Sequence, residues 1–257
     1  MNSDRKSDKP FEQNRFFLKD TIRRQIDFSR TAQNRLVPAP PIQKPTPPNI
    51  TRIHLPDGAA ALARLGRMPI GDAITRRESV RDYSTDPLTI EELSALLWAT
   101  QGVRKVLSPS TALRTVPSAG ARHAFETYVI VNRIEGLSSG LYRYLPFDGK
   151  LAQLTVEEQI GRKAAAACLG QSFVADAAAT FFWTVIPARM EWRYDLAAHK
   201  VIAIDAGHVC QNLYLACTCM GAGSCAIAAY DQDACDRLLG VDGDEEFTVY
   251  ISSVGKR

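Results

Sequence analysis

Apolar positions along this chain change their period several times, and each change marks a predicted element. Residues 11–28 (FEQNRFFLKDTIRRQIDF) set Phe16, Phe17, Ile22 and Ile26 at helical spacing with a basic outer face. The run LVPAPPIQKPTPPN then places six of the chain's 14 prolines within residues 38–48. Such a stretch is extended and enters neither a helix nor a central strand. The apolar side of the preceding helix needs cover, so this stretch is expected to lie across the body, or across a second subunit, rather than hang as a free linker.

From residue 58 the pattern is mixed. PIGDAITRRESVRDY reads as a helix running into a turn, and Thr89 opens TIEELSALLWATQG with Glu92 closing a capping box. ETYVIVN (126–132) is strand-like, and YRYLPFDGKLAQL is a hairpin around Asp148-Gly149. Thr155 and Glu158 suggest a second capping box. ATFFWTVIP (179–187) is a buried strand, and IAIDAGHVCQNLYLACTCMG is a long apolar helix that Gly221 and Gly223 should stop. CAIAAY, a helix DACDRLLG and the strand EFTVYISSVG complete the chain. Strands this scattered indicate α+β rather than regular βαβ winding. The expected division is a basic, Pro-rich arm at 1–57 and one domain at 58–257.

Charge sharpens that division. Residues 1–52 hold 11 Lys/Arg and 5 Asp/Glu, a net of +6, so the remainder of this +3 chain carries −3. A basic arm on an acidic body lacks the aromatic interleaving and basic face of a nucleic-acid binder. No apolar run reaches the roughly 20 residues of a membrane span, and the polar opening stretch has no signal-peptide core. The six cysteines match no zinc spacing and contain no CxxC pair. Cys210 and Cys217 share a helical face with Ala206, Leu213 and Met220, as core thiols do. No metal site is expected, and reduced buried thiols suit the cytoplasm.

Nor does a hydrolase motif appear: there is no GxSxG, and the four histidines (54, 123, 199, 208) form no HExxH pair. GxGxxG and P-loop motifs are equally missing. What stands out is ITRRESVRDY (74–83), three arginines around a serine at a helix end. That is more positive charge beside a small hydroxyl than a solvated helix end needs, and guanidinium forks with a hydroxyl suit an anion.

Six segments in order extend this signal: RRESVRDY, PSAGARHAFETYVIV (117–131), GLYRYLPFDGKL (140–151), DAGHVCQNLYLA (205–216), GAGSCAIAAY (221–230) and YISSVGK. Together they resemble the nitroreductase superfamily of FMN-dependent enzymes over residues 68–257, and within it the SagB-type branch that includes azoline and thiazoline dehydrogenases. The resemblance implies an α+β fold with a mostly antiparallel central sheet flanked by helices, in an intertwined homodimer with FMN at the interface. It implies Arg77, Ser79 and Arg81 around the phosphate, ribityl chain and pyrimidine edge, with Lys256 reaching the phosphate. Pro117, Ser118, Ala119 and Gly120 would lie against the flavin held mainly by the other subunit. Ala226-Ile227-Ala228-Ala229 stand where the family has Pro-Ile-Gly-Gly or Pro-Ile-Glu-Gly, so an amide at Ala228 or Ala229 would meet flavin N5. Ala124 likewise replaces the usual proline.

In azoline-oxidising members a Lys-Tyr pair before the GHxxQN helix carries acid/base work. Arg193 and Tyr194 match it here, although arginine cannot act as a base as lysine can. His208, with Gln211 and Asn212, matches GHxxQN and is read as a packing or flavin-supporting residue. The implied activity is two-electron transfer at N5 on a small-molecule or peptide-derived substrate. An NAD(P)H-dependent nitro- or quinone reductase and a flavin-binding docking protein without turnover are the alternatives.

Overall fold

Two apolar runs form the centre of the molecule. Phe125–Val131 and Ala179–Val185 pair antiparallel along their full length, Phe125 opposite Val185 and Val131 opposite Ala179, and every residue in both is buried. The computed structural model describes residues 11–257, so the polar opening stretch at 1–10 lies outside the described residues. In chain order the helices are α1 (Glu12–Leu18), α2 (Gly58–Leu65), α3 (Ile70–Arg76), α4 (Ile90–Gln101), α5 (Ile160–Ala167), α6 (Phe173–Asp176), α7 (Ala188–Tyr194), α8 (Ala198–Cys219) and α9 (Gln232–Leu239). The strands are β1 (Arg52–His54), β2 (Val103–Ser108), β3 (Thr111–Arg114), β4 (Phe125–Val131), β5 (Gly140–Leu145), β6 (Lys150–Val156), β7 (Ala179–Val185), β8 (Ala222–Ile227) and β9 (Phe247–Lys256).

Seven strands form one sheet in the order β1-β6-β5-β4-β7-β9-β8, with every neighbouring pair antiparallel, while β2 and β3 form a separate hairpin. Side chains alternate across the sheet. Phe125, Val129 and Val131 with Phe181, Trp183 and Val185 pack against α4 and α8; Tyr128, Ile130 and Phe182 pack with Ile160, Ala164, Cys235 and Leu239 of α5 and α9. A strand covered on both faces has no solvent-facing side, which is why β4 and β7 are mostly apolar, with Glu126, Thr127, Thr180 and Thr184 as buried polar exceptions. The architecture is the α+β arrangement expected, a central antiparallel sheet with flanking helices. Five of the six cysteines are buried and Cys219 is half-buried.

The Thr89–Glu92 capping box forms as expected. Three local expectations need correction. Thr155 does not cap a helix: it pairs with Leu141 in the sheet, and α5 begins only at Ile160 after Gln159. Ladder pairing carries β6 past the point where Thr155 could cap. The predicted helix over 11–28 breaks at Lys19, whose backbone is extended, into α1 and two short 3-10 turns, and Phe16 and Phe17 remain exposed. Gly221, at φ 72°, ends α8, but Gly223 lies inside β8.

The Pro-rich stretch is laid across the body, where main-chain groups of residues 41–46 complete a buried charged cluster. Pro41 O accepts from Arg189 Nε at 2.8 Å, and Ile42 O accepts from Arg114 Nη2 at 3.0 Å. Lys44 N–H donates to Glu126 Oε1 at 2.8 Å, while its ammonium binds Glu246. Arg143 Nη2 donates to Thr46 Oγ1 at 2.6 Å. At the centre Arg189 Nη2 meets Glu126 Oε1 at 2.5 Å with both side chains almost fully buried. Buried ions tolerate such a site only when their partners remain in place. Arg189→Ala, which strands Glu126, is expected to lower unfolding stability by about 3–5 kcal/mol, measured by urea denaturation; Arg189→Met should fare no better, since it too leaves the carboxylate unpaired.

Candidate functional site

The arginine segment begins where α3 stops. Arg77 N–H closes the last helical bond to Ala73 O at 3.0 Å, after which the chain extends and meets the sheet. Ser79 forms a parallel bridge with Ser224, and Val80 N–H donates to Ser224 O at 2.9 Å. The contact is possible because Gly223 of β8 and Gly255 of β9 sit opposite one another in the ladder. A Cβ on Gly223 would lie 2.6 Å from Val80 Cβ, and one on Gly255 would lie 2.8 Å from Tyr83 Cδ1. Tyr83 then locks the segment: its hydroxyl donates to Val80 O at 2.7 Å and lies 2.8 Å from Ser253 Oγ. Burial holds this phenol well above its ordinary pKa.

Both expected anion ligands rest on aromatic faces. The Arg77 guanidinium lies 5.3 Å from the centre of the Tyr214 ring, and that of Arg81 lies 5.8 Å from Phe173. Cation–π support of this kind fixes a guanidinium without using its N–H donors. Neither arginine has an ion-pair partner among the described residues. Ser79 Oγ sits 2.9 Å from the Tyr214 hydroxyl, which in turn accepts Ala226 N–H at 2.8 Å. Arg76 is exposed, and Glu78 turns to Arg257 at 3.0 Å. Lys256 is placed near this segment, with its carbonyl accepting Ser84 N–H at 3.0 Å, but its ammonium is paired with Glu92.

Ala226 and Ile227 end β8, and Ala228 and Ala229 follow as exposed residues. Their amides make no hydrogen bond to other described residues. Beside Ala228 opens a cavity of about 550 Å³ walled by Ile202, Ala206, Phe247, Val249 and Tyr250. Free guanidinium forks and a hydroxyl docked on β8, with open amide donors at its end, form a donor set that fits a flavin mononucleotide, whose phosphate and ring edge need those partners.

The Pro117–Gly120 loop forms a second group. Ala119 N–H donates to Asp205 of α8 at 3.2 Å, and His123 N–H donates to Ser118 Oγ at 3.0 Å. Burial raises the Asp205 pKa against the hydrogen bonds it accepts from Ser118 and Ala119. Burial and then the Arg114 charge push His123 down to about 3, so its imidazole is neutral. Gly120, Ala121 and His123 all have positive φ, a cluster of backbone strain typical of functional loops. Gly120 is required twice over, because a Cβ there would lie 2.7 Å from both Arg193 Nε and the Tyr194 hydroxyl. Arg193 and Tyr194 end α7, with the Arg193 guanidinium 5.7 Å from the Tyr194 ring centre. The structure therefore brings the expected acid/base pair against the expected flavin-facing loop.

No hydrogen bond among the described residues joins this loop group to the arginine group. Both hang from α8, through Asp205 and Tyr214. Nine residues of α-helix separate those two side chains by about half a turn in direction and roughly 13 Å along the axis.

Sequence comparison decides the class of site. The profile of the Nitroreductase family matches residues 74–256, from just before Arg77 to Lys256. The chain belongs to the nitroreductase family. A protein of Methanocaldococcus jannaschii named as a nitroreductase is 30% identical over 205 residues, covering 80% of this chain and 96% of that one. A solved nitroreductase-type structure from Anabaena variabilis matches with TM-score 0.64 and 26% identity over 81% of this chain, which spans only 42% of that longer protein. A chain of the Escherichia coli microcin synthetase McbBCD complex, with truncated pro-MccB17 bound, shares the fold at TM-score 0.59 and 16% identity, over 84% of this chain and 78% of that one. This nitroreductase-family protein is thus an oxidoreductase of a flavin-dependent family. Among the described residues no helix is long and apolar enough to cross a membrane, and no group of three or more His, Cys, Asp or Glu could hold a metal ion.

Tyr214, Phe173, Asp205 and Glu92 are the site residues that sequence reasoning missed. Tyr214 lies in the quoted QNLYLA segment, where its aromatic at helical spacing reads as core; only the fold shows its hydroxyl turned to Ser79. For this nitroreductase-family chain, Gly223→Ala should cost about 1–3 kcal/mol through overpacking against Val80, read by chemical denaturation. Gly71→Ala, in α3 with open space around it, should be neutral or slightly stabilising.

Proposed function

We propose that the protein is an FMN-dependent dehydrogenase of SagB type that works as an intertwined homodimer on a small-molecule or peptide-derived substrate. The observation that carries this reading is the docking of Arg77, Ser79 and Arg81 against β8, which ends in the open amides of Ala228 and Ala229. Arg77 and Arg81 would take the phosphate, Ser79 a ribityl or ring-edge atom, and an Ala228 or Ala229 N–H would face N5. Bound FMN supplies two-electron transfer at N5. The mostly apolar cavity beside Ala228 would accept an apolar portion of the substrate. Lys256, being paired with Glu92, would contribute positive potential rather than a free ammonium.

The arrangement on α8 supports the dimer reading. With the loop group and the arginine group on opposite sides of one helix, a second copy would set the loop of Pro117, Ser118, Ala119 and Gly120 over the flavin held by its partner's arginines. Tyr194, held beside Gly120, is then the residue able to move a proton at the substrate, while Arg193 anchors an anion or steadies the tyrosine. The fold likeness to a chain of the microcin synthetase complex is in keeping with a peptide-derived substrate. The oxidising direction is tested by anaerobic flavin bleaching with candidate azolines against NADH and NADPH; bleaching by the nicotinamides alone would overturn the dehydrogenase reading in favour of a reductase.

Purified protein is expected to release FMN rather than FAD on denaturation. Arg77→Ala and Arg81→Ala should each weaken FMN binding by roughly 1.5–3 kcal/mol, and Arg76→Ala far less, in a fluorescence titration. Equal losses at all three would show the residue assignment to be wrong. Tyr194→Phe should keep FMN affinity while slowing flavin reduction by substrate about 10²–10⁴-fold, measured by stopped-flow absorbance.

A further inference from the structure

Tyr214 is buried on α8, yet its hydroxyl is the meeting point of three site elements. Chemistry fixes the direction of the bond from Ala226, and the Tyr214–Ser79 pair is read from it. Ala226 N–H can only donate, so the Tyr214 oxygen accepts at 2.8 Å. With that oxygen engaged, the phenolic hydrogen turns to the acceptor within reach, Ser79 Oγ at 2.9 Å. Ser79 Oγ then serves as acceptor toward Tyr214, and its own hydrogen is left to donate away from α8, on the exposed side of Ser79. The Tyr214 ring meanwhile carries the Arg77 guanidinium 5.3 Å from its centre.

We infer that Tyr214 is a positioning residue for cofactor binding: it fixes Ser79 as a hydrogen-bond donor toward the flavin nucleotide and holds Arg77 over its ring. The inference rests on the FMN reading above and adds a direction to it, a relay from Ala226 N–H through Tyr214 to Ser79. Ala226 has a part of its own. Its N–H supplies the donor that polarises the relay, which a proline at this position could not do. The ordinary alternative is a tyrosine kept for packing, its hydroxyl only satisfying a strand amide.

A double-mutant cycle separates the two. FMN affinity is measured by flavin fluorescence quenching on apoprotein for the wild type, Ser79→Ala, Tyr214→Phe and the double variant. Tyr214→Phe keeps the ring, and hence the support of Arg77, while removing the hydroxyl. Each single change is expected to weaken FMN by about three- to tenfold, and the double variant by no more than about twofold beyond the weaker single. Ala226→Pro is the second variant: it keeps the Tyr214 hydroxyl, frees it to accept from Ser79, and should weaken FMN in the wild-type background but not when Ser79 is alanine. Affinities that multiply in the double variant, or Tyr214→Phe binding as tightly as wild type with only a lowered melting temperature, would overturn the relay and leave the FMN reading standing. A wild type that binds no FMN would overturn both.

Discussion

Two glycines facing one another on the last two strands decide how the arginine segment docks against the sheet. Gly223 and Gly255 are ladder partners, and together they leave a bare patch on the sheet into which Val80 and Tyr83 settle. Without that approach Ser79 could not bridge to Ser224, and Arg77 and Arg81 would remain a charged helix end in solvent. The energy involved is modest at any one contact. Its effect is large because the whole segment from Arg77 to Tyr83 is indexed to the sheet by backbone contact, which a side chain on either strand would prevent.

α8 is the second organising element. One side, through Tyr214, faces the arginine segment and β8; the other, through Asp205, holds the strained loop from Pro117 to Gly120. Asn212 ties the helix to α4 by donating to Ala99 O at 2.8 Å, so the scaffold is anchored between its two working ends. His208, in the same quoted motif, is exposed, with its Nδ1 3.9 Å from Asp205. Eleven of the 22 residues of α8 are buried, Asp205 and Tyr214 among them, and each of these two makes its hydrogen bonds to a different segment.

The Pro-rich strap connects stability to the site in a different way. Its carbonyls quench guanidinium groups that the fold has already buried, including Arg189 at the start of α7, the helix that ends in Arg193 and Tyr194. Trp192 of the same helix donates from Nε1 to Val37 O at 2.8 Å and stacks under Arg122. A stretch that looks like a linker by composition thus steadies the tyrosine that faces Gly120.

The sequence determined much by itself. Largely apolar runs set β4 and β7 at the core, because burial on both faces leaves few polar positions, while α8 buries 11 of its 22 residues against them. The Thr89–Glu92 pair fixed the start of α4, because a capping box is closed within four residues. The six ordered segments carried the family, because ligand residues and their local backbone are close in sequence. Tertiary structure alone decided the rest. Thr155 joined a strand because its partner Leu141 is elsewhere in the chain, and Gly223 proved a docking position because Val80 lies on it from a distant segment. Tyr214 became part of the site because Ser79 and Ala226 converge on its hydroxyl from both sides. Each depends on contacts between residues far apart in the chain, and periodicity along a single segment carries no information about which distant group will arrive.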